Sequence, residues 1–226
     1  MSHSKAVIIC KILRLVNSSS ISISYNPHAT EFPLGKSHFI IRVAQKEDLH
    51  ALANIIADSF HPHRGVLSWF HSLSRIGIYE DLRNRLYSSD SHYVCFVAMA
   101  LSSVSGCLER TNASSELLLG TVEMALRSPY PLHLERSRYP YLSNLAVRDE
   151  YRGQGIAQQL LTACEQAAMS WGFKDLYLHV LENNQRAKRV YFKRGYQLCQ
   201  FDPGWGFYLL GRPRRMLLHK ALSVMQ

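Results

Sequence analysis

Between residues 141 and 181 the chain passes from a β-prone stretch, YLSNLAV, through a glycine-bearing loop, RDEYRGQG, into the helix-like run IAQQLLTACEQAAMSWG, and out to a second β-prone stretch, DLYLHVL. A helix placed between two strands forbids a hairpin. The second strand, at 175–181, has to lie parallel to the first, at 140–148, across a right-handed crossover. This unit alone implies a sheet with at least one parallel pair and a helix packed on its face. Ile156, Leu160, Leu161, Cys164 and Ala168 form the covering stripe, and Gly172 is placed to cap the helix.

The other elements follow from periodicity. HFIIRVA reads as a strand, and KEDLHALANIIADSF as a helix with Leu49, Leu52, Ala53 and Ile56 on one side. VLSWFHSLSRIGIYEDLRNRLYS reads as mostly helical with a break at Gly77, and HYVCFVAMAL and LLLGTVEMALR as a hairpin across the polar stretch SSVSGCLERTNASSE. Downstream, NNQRAKRVYFKRGY is a short helix opened by an asparagine and stopped by Gly195, and GYQLCQF and RRMLLHKAL are the last strands. The class is α/β (α+β), a mixed central sheet of six to seven strands.

Length and composition bound the function. With 226 residues, 47% hydrophobic and 19% charged, one domain over 37–226 is expected. Residues 1–36 are set apart as a tail: serine-rich, with Lys5, Lys11 and Arg14 and no acid before Glu31. That composition suits an organelle transit segment, a disordered tail or an unused upstream start. The compartment is cytoplasmic on the latter readings and the plastid stroma on the first. No stretch approaches the roughly 20 apolar residues of a membrane span. Cys10, Cys95, Cys107, Cys164 and Cys199 are odd in number and scattered, which favours reduced thiols and no metal. The formal charge of +9 implies an anionic partner, and the cations gather late, at Arg186, Lys188, Arg189, Lys193, Arg194, Arg212, Arg214 and Arg215. They do not form the aromatic-interleaved run of a nucleic-acid binder.

The turn YRGQG opens the crossover helix. A helix N-terminus offers unpaired N–H groups and about half a positive charge, a seat for phosphate. In RGQGIA the N–H groups from Gly153 to Ala157 would surround a diphosphate, with Arg152 adding a full charge. Neither GxxxxGK[ST] nor GxGxxG is met, since Gln158 stands three beyond Gly155. Taken alone, the turn is equally compatible with a plain tight turn.

The surrounding residues resemble the GNAT superfamily of N-acetyltransferases. Its arginine-x-x-glycine-x-glycine/alanine signature is met by Arg152, Gly155 and Ala157. Its asparagine-x-x-alanine-x-x-x-tyrosine signature is met by Asn184, Ala187 and Tyr191, followed by Gly195 and Tyr196. YLSNLAV with WGFKDLYLHVLENN looks most like cyanobacterial and plastid members. The resemblance implies a GNAT fold with helices on both faces and two parallel strands splayed at the cofactor site, and acetyl-CoA as acetyl donor. Its diphosphate would lie on Arg152, Gly153, Gln154, Gly155, Ile156 and Ala157, and its pantetheine along Leu145, Ala146 and Val147 as an added strand would. A backbone N–H near Leu145 would face the thioester carbonyl, and the late cations would be near the nucleotide phosphates. Asn184 would fix the pantetheine or cap its helix, with Ala187 beside it.

Amine acetylation calls for a base and an acid. The resemblance assigns Tyr191 as the acid. Tyr141 and His179 occupy positions that look like the tyrosine and histidine of the N-terminal acetyltransferase branch, which act as base through a water, and Glu123 is a second candidate base. The alternatives are a tyrosine that only covers the cofactor and a histidine that is only core. The implied acceptor is a protein or peptide amine, either an α-amine or a lysine. A small amine and a non-catalytic acyl-CoA-binding module stand behind it. Neither nucleic acid nor membrane is an expected partner, and a monomer is the simplest state.

Overall fold

The computed structural model describes residues 31–34, 37–60, 68–88, 90–101, 117–128, 138–202 and 213–223. The chain opens with β1 (Glu31–Leu34), β2 (Ser37–Val43), a 3-10 turn (Lys46–Asp48), α1 (Leu49–Phe60) and α2 (Ser68–Leu86). The antiparallel strands β3 (Tyr93–Leu101) and β4 (Leu118–Arg127) follow. Next come β5 (Tyr139–Val147), a 3-10 turn (Asp149–Tyr151), α3 (Ile156–Ser170) and β6 (Asp175–Leu181). The end comprises α4 (Gln185–Lys193), β7 (Gln197–Phe201) and β8 (Arg215–Ala221).

These strands form one eight-stranded sheet in the order β1-β2-β3-β4-β5-β6-β8-β7. The β5/β6 pair is parallel, as the crossover requires, and the other neighbours are antiparallel. Period-two alternation sends side chains to two cores. Phe96, Ala98, Leu119, Val122 and Met124 pack against Ile156, Leu160, Leu161 and Cys164 of α3. Cys95, Val97, Met99 and Leu118 pack against Leu52, Ile55 and Ile56 of α1 and Leu82 of α2. The helix α3 therefore covers one face, and α1 with α2 covers the other.

Two sequence expectations change. The sheet has eight strands, not six to seven, because β1 lies ahead of residue 37, where the domain was expected to start, and pairs with β2 from Glu31↔Ile40 to Leu34↔Ser37. Phe32 rests on Phe39 at 5.2 Å between ring centroids, and Leu34 is buried, so this short segment carries apolar contacts its polar neighbourhood hid. The expected break at Gly77 is absent, since α2 runs through it. A helical glycine costs about 1 kcal/mol relative to alanine, and the burial of Leu82, with Ile78, Tyr79 and Leu86 packed around it, offsets that.

Candidate functional site

The two central parallel strands separate where the chemistry is expected. Pairing between β5 and β6 consists of Tyr141↔Tyr177 and Leu142↔Leu178. From Ser143 to Val147, β5 keeps only its β4 side, with Ala146 opposite Thr121 and Val147 opposite Gly120. The cause is local. Asn144 has φ 53°, the β4/β5 register shifts between Thr121 and Glu123, and such a bulge bends a strand away from its neighbour. The Asn144 Nδ2 donates to Glu123 Oε1 at 2.6 Å, which holds the bend. Leu145 and Val147 pack toward the α3 core and Ala146 toward the α1 side, so at these three positions the backbone edge faces the gap.

The glycine turn stands at the end of this open edge. Gly153 and Gly155 have φ 83° and 84°, values that an L side chain resists, and Gly155 is the N-cap of α3. No side chain caps that helix and no acid lies in its first turn; its backbone ladder begins with Gln159 N–H donating to the Gly155 carbonyl at 3.1 Å. The N–H groups before Gln159 are thus the orphan donors of a helix start. Arg152 braces the turn: its Nε donates to the Val147 carbonyl at 3.0 Å, and its guanidinium pairs with Asp149. Gln154 Nε2 reaches the Glu150 carbonyl at 3.4 Å. An open strand edge running into a cradle of uncapped amides fits a pantetheine arm followed by a diphosphate.

Across the gap, Asn184 caps α4 by accepting from the Ala187 N–H at 3.1 Å, and Lys188 Nζ donates to the Glu182 carbonyl at 2.9 Å. One turn further along α4, Tyr191 is buried in the α3-side core against Tyr196, with ring centroids 5.8 Å apart. Burial, reinforced by the nearby Tyr141 phenol, pushes the Tyr191 phenol well up, so it keeps its proton at neutral pH.

On the opposite face, Tyr141 and His179 meet directly. The Tyr141 hydroxyl lies 2.8 Å from His179 Nδ1, and His179 Nε2 lies 3.0 Å from Asp202 Oδ1. Alternation explains the convergence: Leu142, Leu178 and Val180 face the α3 core, which turns Tyr141 and His179 to the other side. The Arg127 guanidinium stacks 3.7 Å from the Tyr141 ring centroid. The His179 pKa is lowered from its usual 6.5, first by burial and then by Arg215 and Arg127, against an opposing pull from Asp202.

Glu123, the second candidate base, is walled in. It is 1% exposed, and it accepts from Tyr93 at 2.8 Å and Asn144 at 2.6 Å, with Arg85 Nε at 2.9 Å. Tyr93 and Asn144 donate to it, and Arg85, ion-paired through Nε, donates from Nη2 at 3.4 Å, so the carboxylate braces β3, β5 and α2 together. Several of the late cations are also engaged: Arg194 pairs with Glu165 at 2.5 Å, Arg214 with Glu182 at 2.8 Å, and Arg215 approaches Asp202 at 3.6 Å. Arg186, Arg189 and Lys193 remain exposed on α4, while Arg212 lies outside the described residues. So do residues 61–67, 129–137 and 203–212, which make up most of the loops 61–78, 128–140 and 202–213 that the sequence offers as walls of an acceptor groove, and residues 1–30 of the tail. Sequence reasoning missed Asp202 and Asn144. The positive φ of Asn144 leaves only a faint trace, the tolerance of asparagine for that region, and Asp202 leaves none.

The acetyltransferase (GNAT) family profile matches residues 49–196. The chain is 28% identical over 185 residues to GCN5-related N-acetyltransferase 10, chloroplastic, of Arabidopsis thaliana, covering 79% of this chain and 69% of that one. Its fold is similar to that of PaiA N-acetyltransferase from Thermoplasma acidophilum in complex with coenzyme A, at a TM-score of 0.58 and 18% identity over 81% of this chain and 98% of that one. It is also similar to Arabidopsis thaliana NAA60 in complex with acetyl-CoA, at a TM-score of 0.56 and 22% identity over 81% and 98% of the two chains. The profile, the uncapped glycine turn and the split parallel strands agree: this chain belongs to the GNAT family and is an N-acyltransferase that uses acetyl-CoA as its donor.

Proposed function

We propose that this enzyme acetylates primary amines of proteins or peptides, N-terminal α-amines ahead of lysine side chains, with Tyr141 and His179 taking the amine proton and Tyr191 assisting the leaving sulfur. The observation that carries this reading is the 2.8 Å Tyr141–His179 bond beside the gap between β5 and β6. The donor supplies an activated acetyl group and a thiolate leaving group. Arg152, Gly153, Gln154, Gly155, Ile156 and Ala157 hold its diphosphate, and Leu145, Ala146 and Val147 hold its pantetheine. The helix α4, with Asn184 at its N-cap, Ala187 in its first turn and Tyr191 further along, closes the other side.

The chemistry of the base ranks the acceptors. A histidine with a pKa below 6.5 is a weak base. At pH 7.8 roughly half of α-amines are already neutral, against well under 1% of lysines. A weak proton acceptor therefore serves an α-amine better. Tyr191, with its pKa raised above that of a thiol, hydrogen-bonds the leaving sulfur more readily than it surrenders its proton outright. The chloroplastic relative favours the plastid stroma over the cytoplasm as the place of this activity.

The test is mass spectrometry of a peptide library incubated with isotope-labelled acetyl-CoA and the purified protein. Half of the library carries free N-termini and blocked lysines, the other half the reverse. The reading predicts label chiefly on α-amines. Label on neither half, with acetyl-CoA binding intact by calorimetry, would point to a small-amine acceptor or a non-catalytic acyl-CoA-binding module.

A further inference from the structure

We infer that Asp202 is a positioning residue that fixes the tautomer of His179, so that the proton of the incoming amine enters through the Tyr141 oxygen and not directly at the imidazole. The inference rests on the reading of Tyr141 and His179 as the proton-accepting pair.

The hydrogen bonds set the direction. An ionised carboxylate only accepts, so the 3.0 Å contact between Asp202 Oδ1 and His179 Nε2 requires the proton on Nε2. A neutral imidazole then has its lone pair on Nδ1, and the 2.8 Å partner of that atom, the Tyr141 hydroxyl, must donate to it. Both ring nitrogens are thereby engaged, and His179 has no lone pair left to meet substrate. The Tyr141 oxygen, while donating its own proton, keeps its lone pairs. Of the Tyr141–His179 pair, it is the member able to accept from an amine or from a water that the amine protonates.

The proton balance is closed. As the amine nitrogen bonds to the acetyl carbon and the carbon–sulfur bond breaks, one N–H proton passes to the Tyr141 oxygen. The Tyr141 hydroxyl proton passes to His179 Nδ1, leaving an imidazolium whose Nε2–H stays on Asp202. The bonding pair leaves with the coenzyme A sulfur as a thiolate that Tyr191 hydrogen-bonds, and His179 then returns its Nδ1 proton through the Tyr141 oxygen to solvent. The position of Asp202 is built into the fold. Its backbone N–H donates to the Arg215 carbonyl at 2.9 Å, continuing the β7/β8 ladder, and Arg215 Nε lies 3.6 Å from its other oxygen. Among the described residues, the titratable and charged groups acting on His179 are Tyr141 on β5, Asp202 after β7, Arg215 on β8 and Arg127 on β4.

Asparagine in place of Asp202 reverses the chain. Its amide would donate to Nε2, move the ring proton to Nδ1, and leave Tyr141 nothing to donate to; the analogous change in Ser-His-Asp triads preserves geometry but lowers kcat about 10⁴-fold. The experiment compares full-length wild type with Asp202→Asn, Asp202→Glu, His179→Ala and Tyr141→Phe. Nitrogen-15 NMR of the histidine rings, with His179 assigned by its loss in the alanine variant, reads the tautomer without turnover. Calorimetry gives acetyl-CoA affinity, and kcat is measured on an α-amine peptide.

The expected results are an Nε2–H tautomer in wild type and Nδ1–H in Asp202→Asn. With acetyl-CoA affinity unchanged, kcat should fall about 10²-fold or more, and Asp202→Glu should recover part of it. An Nδ1–H tautomer in wild type would overturn the inference even if Asp202→Asn folds poorly. So would an Asp202→Asn enzyme within threefold of wild type. If His179→Ala and Tyr141→Phe are themselves fully active, the reading of the pair fails. If they are inactive while Asp202→Asn is not, the role of Asp202 alone fails.

Discussion

Replacing Glu123 separates a brace from a base. The carboxylate is buried, with Tyr93 donating at 2.8 Å, Asn144 donating at 2.6 Å and Arg85 ion-paired at 2.9 Å. Glu123→Ala strands the Tyr93 hydroxyl and the Asn144 amide. Arg85 is spared the full loss, because it also pairs with Asp81 at 2.8 Å and its side chain is 35% exposed. Removing one partner of a buried charged cluster costs about 3–5 kcal/mol. With Arg85 still paired, the lower end, about 3 kcal/mol, is expected. At about 2–4 °C per kcal/mol for a chain of this size, Tm should fall by roughly 10 °C. Because Asn144 holds the bend that opens the gap, the KM for acetyl-CoA should rise as well. Glu123→Gln keeps an acceptor oxygen for Asn144 or Tyr93 and loses the charge, at about 1–2 kcal/mol, with kcat within about fivefold of wild type. Thermal unfolding and steady-state kinetics on the same samples decide the matter. Glu123→Gln with an unchanged Tm and a kcat reduced a hundredfold would refute the brace and restore the base.

Three further outcomes are expected. Gly155→Ala forces an L side chain to φ 84°, at about 1–2 kcal/mol; it should raise the KM for acetyl-CoA with little change in the pH dependence, as initial rates would show. The enzyme's own acidic limb in kcat/KM, with rates expressed per neutral α-amine because the free amine titrates at about 7.7–8.0, should lie below pH 6.5. His179 accepts a proton only when neutral, and burial lowers its pKa, so this corrected rate should persist as pH falls through 6.5 and decline only beneath it; a corrected limb above 7 would contradict this. Tyr191→Phe removes the donor to the leaving sulfur and should lower kcat about 10-fold to 10²-fold. Its effect should shrink with a thioester analogue whose leaving thiol is more acidic.

The readable parts of this protein were those written in local periodicity. The crossover from β5 through α3 to β6 follows from two β-prone stretches around one amphipathic stripe, and the glycine turn from residues that tolerate positive φ. Tyr141 and His179 were also legible, because alternation from Leu142 and from Leu178 sends both to one face, and a parallel register puts Tyr177, two residues before His179, beside Tyr141. What escaped was non-local. Asp202 meets His179 only because β8 enters the sheet between β6 and β7 and carries the end of β7 back toward the site, an order no local pattern encodes. The role of Glu123 was hidden for the same reason: in sequence it is an acid on a strand, and only the arrival of Arg85 from α2 and Asn144 from β5 makes it structural. The late cations likewise read as one cluster in sequence, while three of them find acids on α3, before α4 and after β7.

The most direct test of amine acetylation through the Tyr141–His179 pair is kcat for Tyr141→Phe on an α-amine peptide, with acetyl-CoA affinity measured on the same preparation. The phenyl ring keeps the packing under Arg127 and deletes only the oxygen that bonds His179. The account predicts a loss in kcat of about 10²–10⁴-fold with acetyl-CoA affinity unchanged. A kcat within twofold of wild type would contradict it.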